Sequence, residues 1–173
     1  MSILLSLLEC KHMEIFDIVN TKDEVVGVAT QKEAYDRQLT HRIVHIMILN
    51  DRGEFLLQKR GESCSYLPGY WSTSVGGHVR AGETYEVGAK REAKEELGID
   101  VADLKLLGKE IFLVRPGFQK FLSVFVSNHP GPYTNLVGKV SESTFFSIEK
   151  IKEMIGRGEN FHPELIFVLE KYF

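Results

Sequence analysis

Between Gly76 and Asp100 the chain reads GGHVRAGETYEVGAKREAKEELGID, and two demands fall there on one helix. Thr84 is a suitable N-cap and Gly98 a suitable stop, which predicts about four helical turns over 84–97. Ala89, Ala93 and Leu97 recur every fourth residue and form an apolar stripe. Glu92, Glu95 and Glu96 stand at i, i+3 and i+4, so three carboxylates share a face with Cβ atoms roughly 5–6 Å apart. Like charges that close repel. A divalent cation over the face would relieve the repulsion, because hard ions such as Mg²⁺ or Mn²⁺ prefer carboxylate oxygens. Interleaved Lys90, Arg91 and Lys94 offer the alternative of a solvated face with intrahelical pairs, such as Arg91 with Glu95.

The rest of the chain limits the classes to which this helix can belong. At 173 residues, 43% hydrophobic and 26% charged, it has the length and balance of one globular domain, which excludes disordered and low-complexity classes. With 21 Lys+Arg against 24 Asp+Glu, nothing in the charge favours a nucleic acid polymer as partner. Cys10 and Cys64 form no CxxC pair and no zinc cluster, which suggests a reduced compartment. Ile3–Leu8 is far shorter than the ~20 residues of a membrane span, and no signal peptide is legible. These features predict a cytoplasmic protein with no membrane partner. Residues 1–12 read as an N-terminal extension, either amphipathic or the product of a mis-set start, and 13–173 as a single domain.

Punctuation along the chain predicts mixed elements. Strands are expected at Glu14–Asn20 and Val25–Thr30, joined as a hairpin, and at Arg42–Asn50 and Glu54–Lys59 around the turn Asn50-Asp51-Arg52-Gly53. Trp71–Val75 alternates like a strand that Gly76-Gly77 then breaks. Further strands are expected at Lys105–Val114, Phe121–Ser127 and Val140–Ser147, and helices at Ala34–Leu39, Ile148–Ile155 and Pro163–Tyr172. Without regular βαβ alternation, an α+β layered fold follows.

The spacing around the acidic helix carries the chemistry. Gly77, five residues, Glu83, seven residues, then Arg91-Glu92-Ala93-Lys94-Glu95-Glu96-Leu97-Gly98-Ile99 matches G-x5-E-x7-R-E-U-x-E-E-x-G-U at every defined position, U being aliphatic or small. Seven single-residue positions would coincide by chance about once in a million chains of this length. The stretch resembles the Nudix box. That resemblance implies an α/β/α sandwich with a mixed sheet, the box forming loop, helix and loop. It also implies metal-dependent attack on a diphosphate linkage, in a nucleoside diphosphate-X or a related small molecule. By the same resemblance Glu95 and Glu96 are the principal metal ligands and the Gly76 carbonyl is another. Glu92 is a further ligand or the base that orients water, Arg91 holds a carboxylate in place, and Glu83 supports the loop. No Ser-His-Asp order, P-loop or GxGxxG motif competes with this centre.

Outside the box, His41-Arg42, Leu56–Arg60, Pro68–Trp71 and Ser74–His78 resemble the branch that includes isopentenyl diphosphate isomerase. That enzyme has a catalytic cysteine where this chain has Gly76, and two glutamates where it has Phe118 and Lys120, which argues against isomerase activity. His41 and His78 fall where that branch binds metal, and structural roles for both stand as the alternative. Arg60 and Arg80 are candidate phosphate contacts. Tyr70 and Trp71 are candidate stacking residues, with packing as the alternative. Glu142, on a late loop, is a candidate additional acid. A catalytically silent diphosphate-binding module remains the third class, and the intact Glu92, Glu95 and Glu96 argue against it.

Overall fold

A computed structural model describes residues 14–173, so the extension expected over 1–12 lies outside the described residues. The elements are β1 (Ile15–Val19), β2 (Val25–Thr30), α1 (Gln31–Asp36), β3 (His41–Leu49), β4 (Phe55–Arg60), β5 (Trp71–Ser72), β6 (Val75–His78), α2 (Tyr85–Leu97), β7 (Lys105–Arg115), β8 (Phe118–Asn128), β9 (Val140–Phe146), α3 (Ile148–Gly156) and α4 (Pro163–Tyr172). Among the described residues, no helix is long and apolar enough to cross a membrane.

β3 organises these elements. Its run RIVHIMIL is apolar on both faces, as a strand covered on both sides must be. Ile43 and Met47 pack with Ile151 and Met154 of α3 and with Leu165 and Val168 of α4. Val44, Ile46 and Ile48 point the other way and meet Ala89, Ala93 and Leu97, the stripe on α2. The result is a mixed sheet between two helical layers, the α+β sandwich that the sequence predicts.

β8 runs parallel to β3 from His41 to Leu49 and takes one whole edge. Three strands divide the other edge: β1 pairs at His41, β6 from Ile43 to Ile46, and β4 only at Ile48 and Leu49. The expected hairpin forms but is short. Its turn forms, with Gly53 N donating to Asn50 O at 2.9 Å, but β4 parts from β3 after two residue pairs because β6 occupies the edge. At the parting point Ser74 Oγ accepts from Ile48 N at 2.7 Å and donates to Leu56 O at 2.5 Å, closing the crotch between the strands.

Two further expectations change. Gly76-Gly77 does not break a strand; both residues lie inside β6, whereas the expected strand from Trp71 is interrupted after Ser72. The first helix begins at Gln31, earlier than predicted, because Thr30 and Glu33 make a reciprocal capping box. α2 runs from its cap at Thr84 to Gly98, which is left-handed at φ 69, as the sequence predicts. α4 also has the bounds expected of it.

Ser74→Ala removes both bonds at the crotch and leaves Ile48 N and Leu56 O buried without partners. A loss of about 1–3 kcal/mol in denaturant unfolding is expected. A change near zero would show that the parting of β4 and β6 does not rest on this hydroxyl.

Candidate active site

The opening between β4 and β6 is filled from the α2 side. Residues directly opposite in an antiparallel pair alternate between bonded and non-bonded sites. Val79 N donates to Arg42 O at 3.0 Å, so the register of β3 with β6 places Gly77 and Val75 at bonded sites and Gly76 at a non-bonded one. The N–H and carbonyl of Gly76 consequently point away from β3, into the opening. Gly76 N donates to Glu96 Oε2 at 3.2 Å, and from the β4 side Gln58 Nε2 donates to the same oxygen at 2.8 Å. Glu96 Oε1 has no hydrogen bond among the described residues. Burial pushes the Glu96 carboxyl above the usual range, partly offset by the bond from Gln58.

Glu92 lies one turn back on α2. Its carboxyl sits against Gly77, where any Cβ would overlap it, so the glycine is required by close approach. Arg91 Nη1 donates to Glu92 Oε1 at 2.6 Å, which leaves Oε2 without a partner among the described residues. Burial, reinforced by the charge of Glu96, raises Glu92 to about 7 despite that ion pair. Arg91 also donates to Glu83 Oε1 at 2.7 Å and to Glu83 Oε2 at 2.9 Å, and reaches the His78 carbonyl at 2.8 Å. Burial opposes its charge, but the bonds to Glu83 and Glu92 prevail and its pKa is raised. Glu95, the most exposed of the three acids, turns towards arginines: Arg80 Nη1 at 3.2 Å and Arg91 Nη1 at 3.5 Å. Arg80 Nη2 is also bonded to Glu14 at 2.9 Å.

With Glu95 so turned, no three carboxylate, histidine or cysteine side chains among the described residues enclose a metal-sized position. The donors nevertheless suit a hard ion. Glu92 Oε2 and Glu96 Oε1 are unpartnered carboxylate oxygens, the Gly76 carbonyl is freed from the ladder, and the charges of Glu92 and Glu96 act against each other.

The other candidates divide. Arg60 borders the opening: its charge acts on Glu96, and its Nε donates to Tyr66 O at 2.9 Å. Tyr70 is half-buried beside it, its carbonyl accepting from Arg60 N at 2.9 Å. Trp71 is buried, edge-on to Phe146 in the α3–α4 core, so packing replaces stacking there. Glu142 is another correction. It lies within β9 opposite Lys59, whereas Ser143 lies opposite Gln58, and directly opposed residues share a face. Glu142 is thus on the sheet face away from Glu96, its Oε1 accepting from Thr144 at 2.9 Å.

His41 and His78 lie in a packed aromatic group. His78 stacks on Phe16 with centroids 4.5 Å apart and meets Tyr35 Oη at 2.8 Å, while His41 Nδ1 contacts Leu39 O at 2.8 Å. Lys120, beside His41 in the sheet, bonds Glu164 Oε1 at 3.1 Å, and His45 Nε2 is 3.0 Å from Glu164 Oε2. An ammonium in this group speaks against a cation on the two histidines. Gln58 and the Glu164–His45 pair that Lys120 joins are the polar residues that the sequence reading missed. A polar residue at Gln58, between the apolar Leu57 and the basic Lys59-Arg60, is the one signal that could have drawn attention.

Comparison with known proteins points in one direction. The NUDIX domain profile matches residues 39–168. A Pseudomonas aeruginosa protein described as an uncharacterized Nudix hydrolase is 33% identical over 159 residues, 92% of this chain and 93% of its own. YfcD of Escherichia coli, described in the same way, is 30% identical over 90% of this chain and 84% of its own. The crystal structure of DR0079 from Deinococcus radiodurans superposes with a TM-score of 0.82 at 26% identity, over 92% of this chain and 99% of that one.

Burial dominates the titration of the histidines and lowers His41 and His162 to about 4. Below 6.5 each of these histidines binds more protons in the unfolded chain than in the native one, so its contribution to stability should fall as pH drops from about 6.5 towards 4, opposite in sign to that of the raised Glu92. Urea unfolding of His41→Phe over that range should show a shallower slope than the parent. Parallel slopes would show that His41 is not held neutral.

Proposed function

The chain belongs to the NUDIX family and is a hydrolase of pyrophosphate bonds, and on that footing we propose that it cleaves the diphosphate linkage of a nucleoside diphosphate-X or related compound with Mg²⁺ or Mn²⁺. The observation that supports this most is the opening between β4 and β6, where Glu96 Oε1, Glu92 Oε2 and the Gly76 carbonyl are without partners among the described residues and the charges of Glu92 and Glu96 act against each other.

In this reading Glu96, Glu95 and the Gly76 carbonyl would hold the divalent ion, and Glu92 stands beside it as the base. When bound, it neutralises diphosphate oxygens and lowers the pKa of an attacking water. The protein's own groups do the remaining work. Arg91 locks Glu92 Oε1 and both oxygens of Glu83, fixing the helix to the loop before it. Glu92 Oε2 accepts the proton of the attacking water. Glu95, turned here towards Arg80 and Arg91, would be a further ligand of the ion, and Arg80, which Glu14 also holds, would meet a phosphate oxygen together with Arg60. Tyr70 borders the substrate from the β4 side. Arginine suits both phosphate positions because its fork of donors matches phosphate geometry. A cytoplasmic location completes the proposal, in keeping with the free thiol of Cys64.

Isomerisation of an allylic diphosphate has less support. Gly76 has no side chain to move a proton, and Lys120 and Phe118 stand where the isomerase branch has glutamates. A silent binding module would have no use for acids so close together and unneutralised.

Release of phosphate, nucleotide or pyrophosphate from a panel of nucleoside diphosphate-X compounds and isopentenyl diphosphate, with Mg²⁺ or Mn²⁺, tests the proposal. Turnover should vanish with EDTA and fall by at least about a hundredfold in Glu96→Gln. Turnover indifferent to both would sink it, and isomer formation without hydrolysis would transfer the chain to the isomerase reading.

A further inference from the structure

Gln58 has no place in the catalytic pattern of the box, yet it is 4% exposed and its amide is directed at one atom of the site. Its backbone is held on both sides: β4 pairs with β5 at Ser72 and with β9 at Ser143, so the residue cannot drift along the sheet. Its side chain lies on the α2 face, between Leu56 and Arg60 in the strand's alternation. From there Nε2 reaches Glu96 Oε2 at 2.8 Å, and Gly76 N reaches the same oxygen at 3.2 Å from across the opening.

A carboxylate oxygen has two lone-pair sites, and two donors fill both of them on Oε2. Only Oε1 is left for an ion. We infer that Gln58 is a positioning residue which, with the Gly76 amide, restricts Glu96 to single-oxygen coordination and so favours small octahedral ions over Ca²⁺. The inference rests on the metal-dependent reading of the site given above. Its physical basis is the difference between the ions: Mg²⁺ demands near-ideal octahedral geometry at short distance, whereas Ca²⁺ accepts 6–8 ligands and readily takes both oxygens of one carboxylate. A Glu96 free to rotate would serve either mode. Donors anchored on two strands of one sheet remove that freedom before any ion arrives, and a variant that lacks only the β4 donor should recover part of it.

Gln58→Met keeps length and volume and deletes the amide, so it separates this role from packing. Mn²⁺ binding is read by the electron paramagnetic resonance signal of the free ion, and Ca²⁺ binding by its competition with Mn²⁺, both without substrate or turnover. The expected result is weaker Mn²⁺ binding by about tenfold or more, with Ca²⁺ losing less, so that the preference for Mn²⁺ narrows. Equal losses for the two ions, or none, would overturn the inference, since loosening of the fold weakens both alike. If Gln58→Met does not fold, Gln58→Asn, which keeps the amide but withdraws it by one methylene, carries the same expectation. Parent protein that binds no Mn²⁺ at all would instead overturn the metal-dependent reading beneath.

Discussion

β3 has two edges and four partner strands, and the arrangement of the protein follows from how they are divided. β8 takes one edge entire, so β1, β6 and β4 must share the other in succession. Two strands that leave a common edge at one point must diverge, and the gap between β4 and β6 is that divergence. Ser74 satisfies the backbone groups exposed at its apex. Further out, unpaired backbone of Gly76 and the side chain of Gln58 line the gap, and unpaired polar groups inside a protein require partners. Glu96 supplies an acceptor to both. The site is thus where the sheet fails to close.

The second constraint is the thinness of β6. His45 lies against Gly76 on one face, where a Cβ would come within 2.7 Å of its ring, and Glu92 lies against Gly77 on the other. Only a strand bare of side chains at these two positions lets two charged networks approach from opposite faces. Each network is organised around its own cation. On the α2 face Arg91 serves Glu83, Glu92 and Glu95, and its planar fork suits several acceptors at once. On the α4 face Lys120 serves Glu164, whose carboxyl burial would raise but which His45 and Lys120 hold well below its ordinary range. A buried charge without a partner is costly, so removing either cation would harm the fold and not only the chemistry.

Local chemistry was legible in the sequence, and shared edges were not. α2 was readable because its caps, stripe and acids all lie within one short segment. So was α4, since Pro163 at its first turn is a strong start signal. Gly76-Gly77 read as a break because glycine is a poor strand former in isolation. Its use in β6 depends on His45 and Glu92, which come from elsewhere in the chain. Glu142 reads as a loop acid, yet it lies within β9 opposite Lys59, and the pairing of β9 with β4 sets which residues share a face with Gln58. A slip of one residue reverses a side chain's face, and no sequence pattern around Val140 announces it. Gln58 escaped for a related reason: its function is given by what lies across the gap.

Lys120 decides what the group around His41 and His78 can hold. The two histidines are packed with Tyr35 and Phe16 as an aromatic group. Lys120 Nζ lies 5.3 Å from the Tyr35 ring centroid and bonds Glu164, so a positive charge is already tethered beside the histidines. Both histidines are held neutral chiefly by burial, with Lys120 adding to the effect. A second cation there would meet repulsion from the ammonium, and Glu164, the carboxylate among the described residues that faces it, is committed to Lys120 and His45. The α4 face therefore carries a self-neutralised core, and uncompensated acid is concentrated on the α2 face, in the gap beside Gly76.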